Sequence, residues 1–120
     1  LPIDNDGLIP EALDAACRTH SYRFLYLIPT IHNPTAVVMP PERREEIATI
    51  ARRHGLTIIE DDITSRCVEN PPPPIATFAP EITVYLTSLS KTVAPGLRVG
   101  FLKPPPELLD RQASVVGASA

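Results

Sequence analysis

One lysine in this sequence stands among side chains that suit both a Schiff base and a phosphate. Ser88 and Ser90 come just before Lys91, and Arg98 follows it. A lysine amine can form a Schiff base with an aldehyde, while hydroxyl groups and an arginine are suited to a phosphate. An aldehyde and a phosphate on one small molecule describe pyridoxal 5'-phosphate (PLP). The alternative is a polar loop with a structural arginine.

Two further groups of polar residues follow apolar segments that favour strands. Asn33 lies in an Asn-Pro turn, and Glu60, Asp61 and Asp62 come directly after a second apolar segment. A carboxylate there could keep a pyridine nitrogen protonated, and an asparagine amide could donate to the phenolic oxygen of the same ring. A solvated acidic turn and a simple Asn-Pro turn are the alternatives. A metal site is disfavoured, because three consecutive carboxylates cannot converge from one strand.

Alternating helices and strands must position these residues. Helices are predicted from Pro10 to about residue 20, over 40–55 and from Pro105 onwards, and strands over 22–28, 56–59, 82–86 and 97–102. This order predicts a three-layer α/β fold, with a mostly parallel sheet and helices on both faces. Ligands of such sheets bind beyond the carboxyl ends of the strands. We therefore expect Asn33, Asp61 and Lys91 at one edge.

Composition narrows the class of protein. The chain has 120 residues, a net charge of −3 and 43% hydrophobic residues. The charge argues against a nucleic-acid-binding surface in this segment. No apolar run approaches the roughly 20 residues that a membrane span needs, and Cys17 and Cys67 lack metal-ligand spacing. We expect residues 1–120 to form one partial domain, the central portion of a larger cytoplasmic protein that does not enter a membrane.

Four motifs together resemble the class I/II aminotransferase family of fold-type-I PLP enzymes. They are His-Asn-Pro-Thr at 32–35, Ile-Glu-Asp-Asp at 59–62, Ser-Leu-Ser-Lys at 88–91 and Gly-Leu-Arg-Val-Gly-Phe at 96–101. Their order and spacing match the family over essentially the whole chain. The resemblance implies that the chain is part of the large, PLP-binding domain of that fold.

The resemblance implies a role for each matching residue. Lys91 is expected to be catalytic, as the lysine that forms the Schiff base and shuttles the proton in transamination. Asp61 is expected to bind the pyridine nitrogen and Asn33 the ring oxygen. Two serines and an arginine match phosphate-binding positions. The complete implied set of cofactor-binding residues is Asn33, Asp61, Thr64, Ser88, Ser90, Lys91 and Arg98.

Two departures from the family pattern bear on function. Ala36 stands where the family usually has glycine. Thr64 stands where it has a tyrosine that bonds the ring oxygen, and a threonine hydroxyl is too short to cover the same distance. The second departure fits a protein under less catalytic demand than an ordinary transaminase.

The local sequence is similar to the MocR/GntR-type transcriptional regulators of bacteria. The similarity includes Met39 and Pro40 before an Arg-Arg helix, and the run Ser-Leu-Ser-Lys-Thr-Val-Ala-Pro-Gly-Leu-Arg at 88–98. In that group an aminotransferase-like domain follows a DNA-binding domain and senses PLP or an amino-acid adduct. We expect such a regulator. The alternative is a PLP-dependent aminotransferase with an amino-acid substrate.

The resemblance also implies partners. The intact protein is expected to be a homodimer, to bind an amino-acid substrate or effector, and to contact DNA only through a domain outside this chain. The glycine-rich phosphate loop, the ring-stacking aromatic residue and the arginine for the substrate carboxylate are expected elsewhere in the protein. We expect the isolated 120-residue chain to bind PLP weakly or not at all.

Overall fold

The computed structural model describes residues 1–89 and 99–109. Three residues of the expected site, Ser90, Lys91 and Arg98, lie outside these ranges. The secondary-structure elements, in chain order, are β1 (Ile3–Asp4), β2 (Gly7–Leu8), α1 (Pro10–Thr19), β3 (Phe24–Leu27), α2 (Pro41–Arg53), β4 (Thr57–Asp61), a 3-10 turn (Ser65–Cys67), α3 (Ile75–Phe78), β5 (Thr83–Ser88) and β6 (Gly100–Lys103). A helical turn over 106–109 follows β6.

The two longer helices begin and end where the sequence predicts. Both have proline in the first turn, where its missing N–H costs no hydrogen bond. At the end of α2, Gly55 has a φ of 67°. The Gly55 N–H donates to the Arg52 carbonyl at 3.3 Å, and the Leu56 N–H donates to the Ala51 carbonyl at 2.9 Å. These are the two bonds of a Schellman motif, which turns the chain directly into β4.

The main sheet has four strands in the order β3-β4-β5-β6. The β3–β4 and β4–β5 pairs are parallel, and the β5–β6 pair is antiparallel. The register places Leu25 opposite Ile58, and Ile58 opposite Thr83. The predicted α/β class with a mostly parallel sheet is therefore confirmed. Three short features were not predicted: the β1–β2 pair, the 3-10 turn, and α3, which follows the proline run 71–74.

One face of the sheet lies under helices α1, α2 and α3. Ile58 of β4 is fully buried on this face, and the helices contribute Leu13, Ile47 and Ile75 to the same apolar core. We call it the covered face. Alternation of side chains along each strand sends every second residue to the opposite side.

The opposite face of the sheet, which we call the open face, is not covered by these three helices. Phe24 and Tyr26 of β3 lie on it and are 66% and 56% exposed. Register places Ile59 and Asp61 of β4 on the same side. Among the described residues, α1, α2 and α3 form the helical layer of the covered face.

A buried arginine ties the loops to the covered face. Arg44 of α2 is fully buried. Its guanidinium donates to the carbonyls of Met39 at 2.8 Å, Pro29 at 3.1 Å and Pro73 at 3.3 Å, and to the Thr30 hydroxyl at 3.0 Å. These bonds join the segment that follows β3 to the segment that precedes α3. Arg44 therefore fixes the base of the loop that carries Asn33.

Candidate functional site

The carboxyl ends of the three parallel strands lie at one edge of the sheet. These strands end at Leu27, Asp61 and Ser88. Asn33 lies in the loop after the first of them, Thr64 lies just after the second, and Asp61 and Ser88 are themselves the last residues of their strands. Asp61 pairs with Leu86, so Ser88 lies on the same face as Asp61, two residues further along the neighbouring strand.

The three consecutive carboxylates are separated by the alternation of the strand. Glu60 is fully buried on the covered face, where it accepts hydrogen bonds from the backbone N–H groups of Ile75 at 2.7 Å and Ala76 at 2.9 Å. Asp62 is also buried, and it accepts a bond from the Tyr85 hydroxyl at 2.7 Å. Asp61 alone of the three faces the open side.

Asp61 is held by two donors. Its Oδ2 accepts a hydrogen bond from the Tyr26 hydroxyl at 2.7 Å, and its Oδ1 accepts one from the Ile63 N–H at 3.3 Å. The bond to Asp61 is the main reason why the pKa of Tyr26 is raised above its ordinary value. Each carboxylate oxygen has more than one lone-pair direction. Asp61 can therefore still accept a further donor, such as a protonated ring nitrogen.

The loop that carries Asn33 is tight and strained. The Ala36 N–H donates to the His32 carbonyl at 2.6 Å, and the His32 N–H donates to the Val37 carbonyl at 2.9 Å. Ile31 and Ala36 have φ values of 55° and 60°, in the left-handed region that disfavours a β-carbon. Asn33 is exposed at the tip of this loop. The position of Ala36 explains physically why a glycine is suited to that site.

Thr64 is engaged with the same loop. Its hydroxyl donates to the backbone carbonyl of Thr30, and the Thr30 hydroxyl in turn accepts a bond from buried Arg44. In this arrangement Thr64 has lone pairs but no proton to offer a ligand. The residue that replaces the family's tyrosine thus ties two loops of the protein together.

Ser88 lies where β5 meets β6. It pairs with Gly100, and its hydroxyl donates to the Val99 carbonyl at 3.1 Å. Position 99 directly follows Arg98 in sequence. The antiparallel return of β6 therefore brings Val99 beside Ser88. Ser90, Lys91 and Arg98 themselves fall outside the described ranges, so their roles stay predictions.

Tyr26 is the site residue that sequence reasoning missed. It lies inside an apolar run at 22–28, where a tyrosine fits an ordinary strand. Position 26 has the parity of the exposed Phe24 rather than that of the buried Leu25. That alternation was the available signal, because it places the tyrosine on one face of a strand close to its carboxyl end.

A model of the family described as aminotransferase class I and II matches residues 2–119. The chain belongs to this family. Within this aminotransferase family, the chain is 41% identical over 102 residues to the uncharacterized HTH-type transcriptional regulator YdeF of Bacillus subtilis, covering 85% of the chain and 22% of that protein. It is also 41% identical over 118 residues to the uncharacterized HTH-type regulator YdfD of the same organism, covering 96% and 24%.

A solved aminotransferase has the same fold. LysN, an alpha-aminoadipate aminotransferase from Thermus thermophilus, superposes with a TM-score of 0.86 at 31% identity, covering 99% of this chain and 32% of LysN. That structure contains N-(5'-phosphopyridoxyl)-L-leucine. The chain spans about a quarter of the length of the two regulators. The predicted family is confirmed, and its relatives include both regulators and enzymes.

Within residues 1–89 and 99–109, no helix is long and apolar enough to cross a bilayer.

Proposed function

We propose that this chain is the central part of a PLP-binding, aminotransferase-like domain in a MocR/GntR-type transcriptional regulator. The observation that carries the proposal is the 41% identity to each of two HTH-type regulators, YdeF and YdfD. The identity to the enzyme LysN is lower, at 31%. In this proposal DNA is bound by a separate domain of the intact protein, and the domain described here senses PLP or an amino-acid adduct as a homodimer.

The polar groups at the sheet edge are suited to PLP. Asp61 offers a carboxylate, which is an acceptor on the open face, to a protonated ring nitrogen, and Ser88 carries a hydroxyl group on the same face, one strand away. When bound, PLP would supply an electron-withdrawing ring and an aldehyde. Asp61 would hold the proton on the ring nitrogen. Lys91 would supply the amine that meets the aldehyde.

The remaining proposed contacts surround the ring and the phosphate. Asn33 would donate its amide to the ring oxygen from the loop after β3. Ser88, Ser90 and Arg98 would bind the phosphate through charge-assisted hydrogen bonds. Ser88 would do so by turning its hydroxyl proton from the Val99 carbonyl towards a phosphate oxygen. Thr64, whose proton is donated to Thr30, would at most accept a bond at the ring.

The Thr64 arrangement favours a sensor over an efficient catalyst. A tyrosine that donates to the ring oxygen would support electron withdrawal during the reaction, whereas here the hydroxyl holds two loops together. Binding of PLP needs only the lysine and the polar contacts. Turnover needs each proton transfer to be well placed.

An amino-acid aminotransferase is the second candidate. The 0.86 TM-score to LysN over 99% of the chain favours it, because the backbone that positions the site is shared with that enzyme. The two candidates differ in what precedes this domain and in whether amino acids are turned over.

The full-length protein decides between them. We expect it to retain PLP, to bind the DNA that flanks its own gene in a mobility-shift assay, and to show little transamination with a panel of amino acids. Addition of PLP or an amino acid should change its affinity for that DNA. Brisk transamination without DNA binding would favour the enzyme. Lack of PLP binding would refute both candidates.

A further inference from the structure

Tyr26 binds Asp61, which is the member of the carboxylate run at 60–62 that faces the open side of the sheet. Its register partner on β4 is Ile59, which lies two residues before Asp61. The tyrosine ring therefore reaches diagonally along the face, and its hydroxyl meets Asp61 Oδ2 at 2.7 Å. Although the side chain is 56% exposed, its polar end is fixed by this bond.

The two donors to Asp61 leave its carboxyl group little rotational freedom. Tyr26 binds one oxygen from the neighbouring strand, and the Ile63 N–H binds the other from the chain just beyond β4. At 3.3 Å the backbone bond is the longer of the two. Hydrogen bonds to an ionised group are roughly twice as strong as neutral ones. Because both bonds end on the same carboxylate, the shorter one, from Tyr26, contributes more to its orientation.

We propose that Tyr26 is a positioning residue, which orients Asp61 towards the pyridine nitrogen of PLP. This inference rests on the proposed function. Tyr26 does not touch the ring; it acts through the carboxylate, as the outer partner of a histidine ligand acts on a bound metal. A carboxylate that is free to rotate would meet the ring nitrogen with poorer geometry and would hold its proton less firmly.

The test compares single-atom changes in the full-length protein. Tyr26→Phe removes the hydroxyl, and Tyr22→Phe removes that of an exposed tyrosine whose ring stacks on His20. Two quantities are measured: the dissociation constant for PLP, and the chemical shift of PLP labelled with 15N at the ring nitrogen. Circular dichroism establishes that each variant is folded.

We expect Tyr26→Phe to weaken PLP binding by about threefold to tenfold and to move the 15N resonance towards that of the unprotonated ring. Tyr22→Phe should change neither quantity. In an Asp61→Ala background, which removes the acceptor of the Tyr26 hydroxyl, Tyr26→Phe should have no further effect. Unchanged affinity and an unchanged resonance in Tyr26→Phe would refute the proposal, as would an equal effect in the Asp61→Ala background. If the wild-type protein did not bind PLP at all, the proposed function would fail first, and this inference with it.

Discussion

The two faces of the sheet each carry a tyrosine that donates to an aspartate at 2.7 Å, and the pairs differ in their surroundings. On the covered face, Tyr85 donates to Asp62, and burial is the main cause that raises the pKa of Tyr85 to about 12. On the open face, Tyr26 donates to Asp61, and the hydrogen bond itself is the main cause of the raised pKa of Tyr26. The same tyrosine–aspartate hydrogen bond is thus buried in the core on one face and accessible to a ligand on the other.

This contrast follows from a single step along β4. Asp61 and Asp62 are neighbours in sequence, yet strand alternation sends them to opposite faces. A carboxylate on the covered side must be satisfied by the protein, because a buried charge without partners is costly. A carboxylate on the open side can keep lone pairs for a ligand. The faces should therefore respond differently to matched substitutions.

The largest effect is expected from the buried arginine. Arg44→Met should lower the free energy of unfolding by about 3 kcal/mol or more, because it leaves buried Glu60 without its cation and three carbonyls without their donor. Urea unfolding of the full-length protein measures the loss. The matched control is Arg53→Met on the same helix, where the side chain is exposed and pairs with Asp14. It should change stability by less than about 0.5 kcal/mol. Equal losses would contradict the assignment of the covered face.

The next largest effect on stability is expected from the tyrosine that donates to an aspartate on the covered face. Tyr85→Phe should destabilise the protein by about 1–3 kcal/mol, since it removes the bond to buried Asp62, whose other carboxylate oxygen has no hydrogen-bond partner among the described residues. Tyr26→Phe should cost less than about 0.5 kcal/mol in the same urea measurement. If Tyr26→Phe destabilised the protein as much as Tyr85→Phe, the open-face pair would be structural.

Acid–base behaviour should also distinguish buried from exposed carboxylates. Burial raises the pKa of Glu60 above its ordinary value of 4.5, more than the two backbone N–H bonds lower it. When the pKa of a group is higher in the folded protein than in the unfolded chain, its full contribution to stability is present below the unfolded-state pKa. That contribution is lost as pH rises through the folded-state pKa. Stability of the wild type should therefore fall over that interval relative to Glu60→Gln, in urea unfolding at a series of pH values.

Glu81 provides a control of opposite sign. Its hydrogen bond to Arg52 lowers the pKa of the Glu81 carboxyl. Its contribution is therefore present above the ordinary value and is lost as pH falls. Glu81→Gln should remove a loss of stability that the wild type shows as pH falls. Glu60→Gln should remove a loss of stability that the wild type shows as pH rises. If both variants changed the pH dependence of stability in the same direction, the burial of Glu60 would be contradicted.

A small gain in stability is expected from a substitution in the loop that carries Asn33. Ala36 has a φ of 60°, so Ala36→Gly should relieve strain and raise the free energy of unfolding by up to about 1 kcal/mol. Ala48→Gly is the control, because a glycine inside α2 should destabilise the protein. A loss of stability in Ala36→Gly would show that the loop is not held in the left-handed region.

Much of this architecture could be predicted from the sequence. The proline, acidic first turn, basic last turn and glycine that bound α2 are local signals, and each acts within a few residues. Short apolar runs likewise indicated β3, β4 and β5. These signals sufficed for the α/β class, and the four motifs at 32–35, 59–62, 88–91 and 96–101 together sufficed for the family.

The rest depends on contacts between segments distant in sequence. The residue pattern alone could not say which of Glu60, Asp61 and Asp62 lies on the open face, since the phase of the alternation is set by packing under the helices. Nor did it reveal the bond from Tyr26, 35 residues before Asp61. In the sequence, Arg44 is one of several charged residues of α2, and nothing distinguishes it from the exposed ones. Its burial depends on backbone carbonyls of other segments, which accept its hydrogen bonds only in the folded protein.

One measurement tests the proposed site most directly. The sequence contains two lysines, Lys91 and Lys103, and Lys103 lies in β6 opposite Tyr85, with the parity of the covered face. The full-length protein is loaded with PLP, reduced with borohydride and mapped by peptide mass spectrometry. We expect the reduced adduct on Lys91, lost in Lys91→Ala and kept in Lys103→Ala. An adduct on Lys103, or no adduct on either lysine, would contradict the proposed site.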